Sequence, residues 1–566
     1  DTANDCLKAD SIINYSIIND TTLQHLTTRL FRLFLPLILI LRLEMEFYMS
    51  NVFKRTKGDM HYLFKSSSEL SPKGRKRKKR AVRTFSGLIL VFIQVVLLVL
   101  FLLKIFSLEM LPVKYLVMLN VVLILITLYT FTSQFTKAHV LGKIISILMS
   151  AVLLTGFLYA AKLSSTLGVI TGKMTKTDIV DVMVLKNDPA ASLDDALSYT
   201  FGYNSTVNSA VTTKAISDIE ADKNTSLNTK TYTKWEDLLN NLYEGKNIQA
   251  FVVHDSVRST LAEQYSDFED KTRIIDTIKI TTEVKLSAND KKVNQEPFIV
   301  YLSGNDGEGQ ISSIGRSDVN ILAVVNPKTR QVLLVSTPRD SYISISNADG
   351  KSGLDKLTHA GNAGIEYSEL ALEKLYSISI DYYIKLNFTG CVEIVNALGG
   401  ITINSSVDFT NGYEAAPESY HFNIGQNECN GEQTLAFVRE RKAFNDGDFQ
   451  RGRNQEAAIK GIISKATSPA ILTNYSAVLD AISNMVLTNM SIGTITSLIR
   501  GQLSNPKAWN VQSYTVSGTT GTKTGQVYGL SGMSVVIPDD NSINTAKELM
   551  NKIVNGEEFN VSDYTE

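Results

Sequence analysis

Three long apolar stretches dominate the first third of the chain. They cover residues 85–103, 115–131 and 144–161 and contain no charged residue. Each has 17–19 residues, close to the roughly 20 that a helix needs to cross a bilayer. A helix in a soluble core shows a polar face, and these stretches show none. The pattern therefore predicts three transmembrane helices rather than three buried core helices.

Basic residues in the flanks predict the orientation of these helices. Residues 73–83 carry eight Lys or Arg side chains and no acid, and they precede the first stretch. Such segments stay in the cytoplasm, so three spans place everything after about residue 162 outside. We expect a multi-pass cell-membrane protein with a cytoplasmic N-terminal side, a cytoplasmic basic segment at residues 49–84 and an extracellular catalytic domain.

Residues 1–48 do not fit this scheme. The chain starts with Asp1, and the apolar run at residues 33–41 is too short to span a bilayer. Met49 is a candidate start. We therefore treat residues 1–48 as an uncertain, non-native extension and leave them out of the fold prediction.

Beyond the predicted spans, the chain is polar from residue 171 to residue 288. Apolar positions there follow mixed helical and strand periods, and residues 273–286 alternate as in a strand. This predicts a small α+β accessory domain without a chemical cluster. The charged, turn-rich residues 287–296 mark its boundary with the next domain.

From residue 297 to residue 560, short strands alternate with helices. Residues 297–306, 318–327 and 331–340 are apolar runs that end in polar residues. Helical patterns follow at residues 367–378, 390–398 and 454–466. Strands interleaved with helices predict an α/β fold, with a mixed central β-sheet covered by helices on both faces.

Charged residues gather in three clusters that follow these runs. In chain order they are Asp306, Arg316, Asp318, Arg339, Asp340, Arg439, Arg441, Arg451, Arg453 and Gln455. Guanidinium groups form paired hydrogen bonds with phosphate oxygens, and Mg²⁺ takes carboxylates together with phosphate oxygens. If the strand ends converge, the clusters predict a pyrophosphate–Mg²⁺ site. A network of surface salt bridges is the alternative.

Other chemistries are disfavoured. The six His residues form no H-E-x-x-H motif, and no C-x-x-C motif occurs, so a zinc site is not expected. Residues 518–524 (GTTGTKT) lack the spacing of a phosphate loop and are predicted to form a polar turn. His359 is expected to be structural rather than a base. Cys391 and Cys429 either form one disulfide or stay unpaired.

The nearly balanced charge, 56 basic against 57 acidic residues, gives no reason to expect a nucleic-acid partner. Residues 73–83 are better suited to anionic lipid headgroups because they adjoin a predicted span.

Residues 301–343, 356–360, 396–401 and 435–455 together resemble the LytR–CpsA–Psr family. The resemblance is closest to the capsule-locus, CpsA-type members of streptococci, which also carry three spans and an accessory domain. It implies a Mg²⁺-dependent phosphotransferase of the Gram-positive cell wall. The enzyme would move a glycopolymer, expected to be capsular polysaccharide, from a polyprenyl-pyrophosphate carrier to peptidoglycan. Pyrophosphatase activity would accompany the transfer, and capsule-assembly proteins would be further partners.

The same resemblance implies roles for individual residues. Asp306 and Asp318 would bind Mg²⁺. Arg316 and Arg339 would stabilise the reacting phosphate. The resemblance does not settle which residue takes the acceptor proton, and Asp448 and Asp340 are the two candidates. The residues expected to hold the pyrophosphate are Arg316, Arg339, Arg439, Arg441, Arg451 and Gln455. The prenyl tail is expected in an apolar tunnel near Val392, Ile394, Val395, Ile459 and Ile463, although these residues equally suit an ordinary core.

A second function of another class remains open. The arginine cleft would also suit a non-catalytic regulator or scaffold of capsule or cell-wall assembly that binds polyprenyl phosphates without turnover. Transcriptional control through residues 73–83 is disfavoured, because too little cytoplasmic chain surrounds them to fold a helix–turn–helix.

Overall fold

A computed structural model of the chain describes residues 55–170, 174–284, 291–305, 314–468, 477–478, 481 and 485–564. The predicted extension at residues 1–48 and the predicted metal ligand Asp306 lie outside these ranges. The chain forms two compact units, divided between residues 101 and 102, 116 and 117, and 156 and 157.

Three helices are long and apolar enough to cross a membrane. They are α1 (Pro72–Leu108), α2 (Val113–Ser133) and α3 (His139–Ile170). Each contains one predicted span, so the prediction of three such helices is confirmed. The basic residues 73–83 belong to α1 and continue the helix beyond its apolar part.

A buried polar contact joins two of these helices. Gln94 of α1 donates to Thr127 Oγ1 at 3.2 Å, and its side-chain oxygen accepts from Thr130 Oγ1 at 3.0 Å. Both threonines lie on α2. A polar side chain in an apolar helix needs such partners, because lipid supplies none.

The accessory domain is built on a five-stranded sheet with the order β3-β2-β4-β1-β5. Strand β1 is antiparallel to β4 and β5, and β2 is parallel to β3 and β4. Its strands are β1 (Met174–Leu185), β2 (Thr200–Asn204), β3 (Asn228–Tyr232), β4 (Ala250–His254) and β5 (Thr272–Val284). Its helices are α4 (Leu193–Ala196), α5 (Ser209–Lys223), α6 (Trp235–Tyr243), α7 (Asp255–Gln264) and α8 (Phe268–Lys271). This is the small α+β domain that the sequence predicts.

The second domain has a six-stranded sheet with the order β16-β11-β6-β7-β8-β17. Its strands are β6 (Phe298–Asn305), β7 (Val319–Asn326), β8 (Gln331–Ser336), β11 (Tyr382–Asn387), β16 (Val486–Thr488) and β17 (Asn510–Thr515). The parallel pairs are β6 with β11 and β8 with β17, and the other neighbours are antiparallel. The predicted mixed sheet is confirmed.

Short two-stranded sheets and seven helices complete the described part of this domain. The strands are β9 (Tyr342–Ser346), β10 (Ser352–Lys356), β12 (Ile401–Ser405), β13 (Phe409–Thr410), β14 (His421–Phe422), β15 (Gly425–Cys429), β18 (Gly518–Lys523) and β19 (Met533–Pro538). The helices are α9 (Leu357–Ala360), α10 (Ile365–Tyr376), α11 (Phe388–Ala397), α12 (Gly431–Arg439), α13 (Asp448–Ala466), α14 (Ile492–Ser504) and α15 (Asp540–Asn555), and a 3₁₀ turn follows at Val561–Tyr564.

Helices cover both faces of the six-stranded sheet, as predicted. Leu322 and Val324 of β7 pack in one core with residues of α10 and α15. Their neighbours Ile321 and Ala323 pack in another core with residues of α13 and α14. Since successive strand side chains point to opposite faces, burial on both faces explains why these strands read as continuous apolar runs.

The first of these cores also extends into the accessory domain. Val257 and Leu261 of α7 belong to the same buried cluster as Tyr301, Leu322 and Leu333 of the six-stranded sheet. Helix α7 therefore docks on the second domain through apolar side chains.

Two expectations from the sequence need correction. Residues 518–523 form strand β18, antiparallel to β19, instead of a polar turn. Threonine favours strands because its branched side chain fits the pleated surface, and β19 supplies the partner. Cys391 and Cys429 are both free thiols in the structure, so the disulfide alternative is not realised. Burial raises the pKa of both thiols to about 11.

Candidate active site

One edge of the six-stranded sheet collects the ends of four elements. Gly304 near the end of β6 pairs with Val319 at the start of β7. Ser336 at the end of β8 pairs with Ile321. Asn387 at the end of β11 pairs with Asn305. The polar clusters that follow these strands are therefore brought to the same edge.

The first cluster is held by a loop at residues 314–318. Gly315 has a φ of 126°, a conformation that side-chain-bearing residues rarely adopt. The backbone N–H of Asp318 donates to Gly304 O at 2.7 Å, and that of Ser317 donates to Thr358 O at 3.2 Å. These bonds fix Arg316 and Asp318 at the sheet edge.

The second cluster follows β8. The carbonyl oxygen of Arg339 accepts from the backbone N–H of Thr358 at 2.9 Å, so the same short helix, α9, supports both loops. Asp340 pairs with Lys356 Nζ at 3.1 Å.

The third cluster lies where α12 ends and α13 begins. Arg439 is the last residue of α12, and Asp448 is the first of α13. Arg451 and Gln455 are four residues apart on α13 and so share one face. A Cβ on Gly452 would lie 3.1 Å from Ser336 Oγ, and its absence lets α13 approach the end of β8.

Glu440 holds the turn between these two helices. It is 2% exposed. Its Oε1 accepts from the backbone N–H groups of Arg441 and Ala443, both at 2.9 Å, and its Oε2 accepts from that of Gly412. Because Glu440 lies between Arg439 and Arg441 in the chain, this anchor sets the positions of both arginines.

A cleft of about 800 Å³ opens at this edge. Seven residues selected from the sequence line it: Arg316, Asp318, Arg339, Arg439, Arg441, Arg451 and Gln455. The structure thus brings together all the predicted pyrophosphate-binding residues and one predicted metal ligand. Asp448 adjoins one of them, with its Oδ1 2.9 Å from Arg451 Nη2.

Asp318 is the negative centre of the cleft. Its Oδ1 accepts from Arg339 Nη1 at 2.7 Å. Burial would raise the pKa of Asp318, but the charges of Arg339 and Arg316 outweigh burial and hold that pKa below its ordinary value. Burial would lower the pKa of Arg339. The negative charges of Asp318, Asp340 and Glu263 outweigh burial and raise that pKa. Both groups are therefore charged at neutral pH.

The other oxygen of Asp318 fits a metal ligand. Its Oδ2 is buried and accepts no hydrogen bond from any residue that the structure describes. A hard cation such as Mg²⁺ prefers an oxygen of this kind. Within the described ranges, no group of three or more His, Cys, Asp or Glu side chains could hold a metal ion. Mg²⁺ at Asp318 would therefore need other oxygens, such as those of a phosphate.

An aromatic ring supports one of the arginines. The guanidinium carbon of Arg439 lies 4.8 Å from the ring centroid of Phe388, the first residue of α11. A cation over an aromatic face is attracted by the ring's quadrupole. Phe388 itself lines the cleft.

Some predicted side chains lie elsewhere. Arg453 faces a separate cavity and contacts Asp446 and Gln450. His359 is buried and lies 2.8 Å from Asp355 Oδ1, which agrees with a structural role. Ile394 and Val395, proposed for the prenyl tunnel, pack in the core beneath α11.

Besides Phe388, three contributors to the cleft escaped sequence reasoning. Glu263 comes from α7, and its carboxylate accepts from both Arg316 and Arg339. Tyr413 and Glu414 line the cleft from a loop. Nothing in the local sequence distinguishes these residues from ordinary surface side chains, because their partners lie far away in the chain.

The comparison with known proteins identifies the family. The LytR_cpsA_psr family model matches residues 257–552, more than half of the chain. The chain belongs to the LytR_cpsA_psr family. The matched range begins within α7 and contains the three charged clusters.

Relatives within the LytR_cpsA_psr family include named enzymes. The polyisoprenyl-teichoic acid–peptidoglycan teichoic acid transferase TagU of Bacillus mycoides (strain KBAB4) is 35% identical over 250 residues, which are 44% of this chain and 75% of that relative. TagU of Enterococcus faecalis (strain ATCC 700802 / V583) is 37% identical over 201 residues, 35% of this chain and 63% of that relative. Among solved structures, protein gbs0355 from Streptococcus agalactiae is 28% identical, with 46% of this chain and 89% of that chain covered and a TM-score of 0.40.

Proposed function

We propose that this member of the LytR_cpsA_psr family is a membrane-anchored phosphotransferase that moves a glycopolymer from a polyprenyl-pyrophosphate carrier to peptidoglycan. The observation that carries the proposal is the cleft that six arginines line, among them the five selected from the sequence. The TagU relatives, named polyisoprenyl-teichoic acid–peptidoglycan transferases, support this kind of donor and acceptor. The resemblance to CpsA-type members supports capsular polysaccharide as the polymer. We also propose that the catalytic domain is extracellular, where peptidoglycan lies.

The proposed reaction transfers a phosphoryl group between two oxygens. The acceptor hydroxyl attacks the sugar-linked phosphorus, and a new oxygen–phosphorus bond forms. The bond from this phosphorus to the bridging pyrophosphate oxygen breaks, and polyprenyl phosphate leaves. Guanidiniums fixed around the cleft stabilise the charge that develops on the phosphate oxygens. Arg339 and Arg316 are best placed for this task, because they flank Asp318.

Mg²⁺ is proposed as the cofactor, held by Asp318 Oδ2 and by Asp306. When bound, it would neutralise negative charge on the pyrophosphate. The chain's own residues would set the position of the donor: Arg451 and Gln455 from one face of α13, and Arg439 and Arg441 from the end of α12 and the turn after it.

Asp448 is the proposed acceptor of the proton from the attacking hydroxyl. Asp340 is the weaker candidate, because Arg339 and Lys356 lower its pKa against the effect of burial and a carboxylate with a low pKa is a poor base. The side chain of Asp448 is also more exposed than that of Asp340, 22% against 14%.

The full-length protein in nanodiscs, supplied with a polyprenyl-pyrophosphate-linked glycan, Mg²⁺ and peptidoglycan fragments, tests the proposal. We expect release of polyprenyl phosphate together with a covalent glycan–peptidoglycan product. Release of polyprenyl phosphate without the glycan–peptidoglycan product would show that the protein only hydrolyses the pyrophosphate. Tight binding of the donor with no turnover at any Mg²⁺ concentration would contradict the proposal and favour a regulator or scaffold.

A further inference from the structure

Glu263 reaches from the accessory domain into the cleft of the second domain. Its Oε1 accepts from Arg339 Nη2 at 3.0 Å, and its Oε2 accepts from Arg316 Nη1. The side chains of Arg316 and Arg339 are only 11% and 10% exposed, whereas that of Glu263 is 36% exposed. One carboxylate thus bridges the two arginines that flank Asp318, and it faces the open cleft.

The helix that carries Glu263 is fixed on both sides of it. Thr260 Oγ1 accepts from Asn362 Nδ2 at 2.9 Å, and Gln264 Nε2 donates to the carbonyl oxygen of Ser531 at 2.7 Å. The buried side chain of Leu261 adds an apolar contact in the shared core. Glu263 is therefore a permanent part of the cleft wall rather than the tip of a mobile loop.

This arrangement constrains Arg339 on two of its nitrogens. Nη1 donates to Asp318 and Nη2 donates to Glu263. A free arginine side chain loses considerable rotamer entropy when it is ordered. Donors that are already ordered stabilise a developing charge without reorganisation. The carboxylate of Glu263 accepts hydrogen bonds from the same two guanidiniums that a bound phosphate would use. It therefore competes with the phosphate and weakens its binding in the ground state.

We propose that Glu263 is a positioning residue on α7 that orients Arg316 and Arg339 for the transferring phosphate. The inference rests on the proposed function and adds to the active site a residue from the helix in which the family match begins. The inference assigns two effects to Glu263. Its carboxylate lowers the affinity for pyrophosphate, and it raises the rate of transfer.

The test compares Glu263→Gln with Glu244→Gln in the full-length protein. Glu244 lies in the same domain, outside the cleft, and pairs with Lys246 at 2.8 Å, so its variant removes the same charge from another ion pair. For Glu263→Gln we expect kcat of transfer to fall at least about tenfold. We expect the affinity for inorganic pyrophosphate to rise by roughly 3- to 10-fold. Glu244→Gln should change neither quantity.

Three results would overturn the inference. Glu263→Gln could behave as Glu244→Gln does. It could raise both kcat and affinity, which would make Glu263 a simple competitor of the phosphate. It could lower both together with the thermal unfolding midpoint, which would make its role structural.

A double-variant cycle keeps the inference separate from the proposed function. In an Arg316→Ala background, the gain in pyrophosphate affinity caused by Glu263→Gln should shrink by at least half, because one of its two partners is gone. An undiminished gain would overturn the inference. If the wild-type protein transfers no glycan, the proposed function fails, and this binding cycle alone decides whether Glu263 acts through Arg316.

Discussion

Arg339 Nη1 donates to Asp318 Oδ1 at 2.7 Å, and this ion pair joins the anion-binding arginines to the proposed metal ligand. Each of the two side chains supplies the other's counter-charge inside the protein. Removing only one takes the nearest counter-charge from the other, although Glu263 still pairs with Arg339 and Arg316 still lies near Asp318. The effect of a single variant at either position therefore contains a structural part as well as a catalytic one.

Arg451 and Arg453 form a matched pair of positions on α13. The side chain of Arg451 is 13% exposed and lines the cleft, whereas that of Arg453 is 41% exposed and faces another cavity. Arg451→Ala should raise the barrier to transfer by roughly 2–4 kcal/mol, because one fixed donor to the phosphate is lost. Arg453→Ala should leave the rate within about twofold. Steady-state transfer rates check the prediction, and equal losses in both variants would contradict it.

Asp318→Asn should abolish the response to Mg²⁺. An amide oxygen is a weaker ligand for a hard cation than a carboxylate. We expect Mg²⁺ added with inorganic pyrophosphate to raise the thermal unfolding midpoint of the wild-type protein above its value with pyrophosphate alone, and to cause no such rise in Asp318→Asn. Asp446→Asn serves as the control, since Asp446 pairs with Arg453 away from the cleft, and it should respond as the wild type does. A full Mg²⁺ response in Asp318→Asn would refute the metal assignment.

Glu440→Ala should destabilise the turn between α12 and α13. The variant leaves three backbone N–H groups without their carboxylate acceptor, at a cost of roughly 3 kcal/mol in the free energy of unfolding. Glu440→Gln keeps an amide oxygen and should lose about half as much. Glu432→Ala, at the exposed start of the same α12, should cost less than about 1 kcal/mol. Chemical unfolding measures all three, and a loss in Glu440→Ala no larger than in Glu432→Ala would argue against the anchor.

Glu456 should make stability depend on pH. It is 2% exposed, and burial raises its pKa from 4.5 to about 7, although Lys460 opposes the rise. The folded state therefore favours the protonated form. That contribution is complete below about pH 4.5 and is lost as the pH rises through about 7. Relative to Glu456→Gln, the wild type should lose up to roughly 3 kcal/mol across this window.

Unfolding of both proteins at about pH 5 and about pH 8 measures this difference. Glu244→Gln, which alters an exposed side chain, should differ from the wild type by the same amount at both pH values. A constant difference between the wild type and Glu456→Gln would show that the carboxyl group does not titrate in this range.

The arginines of the cleft could be predicted from the sequence, whereas Glu263 beside them could not. Apolar runs followed by Arg316, Arg339 and their neighbours indicated strand ends with polar clusters after them. Glu263 could not be found in this way, because it lies 53 residues before Arg316 and resembles any glutamate on an exposed helix face. The contact exists only because apolar packing places α7 beside the second sheet.

The polar turn expected at residues 518–524 failed for a related reason. Gly and Thr suggest a turn when they are read locally. The pairing of Gly518 with Pro538 and of Lys523 with Met533 makes this segment a strand. A partner strand that begins ten residues later overrides the local preference.

The apolar contact beneath α7 also couples the packing of the two domains. Leu261 on one side and Tyr301 and Leu322 on the other fill one common interior. A substitution that changes the volume of any of them must be matched by a neighbour, which belongs to the other domain. A cavity made at this contact should therefore loosen the packing of both sheets, so the two domains are expected to lose stability together.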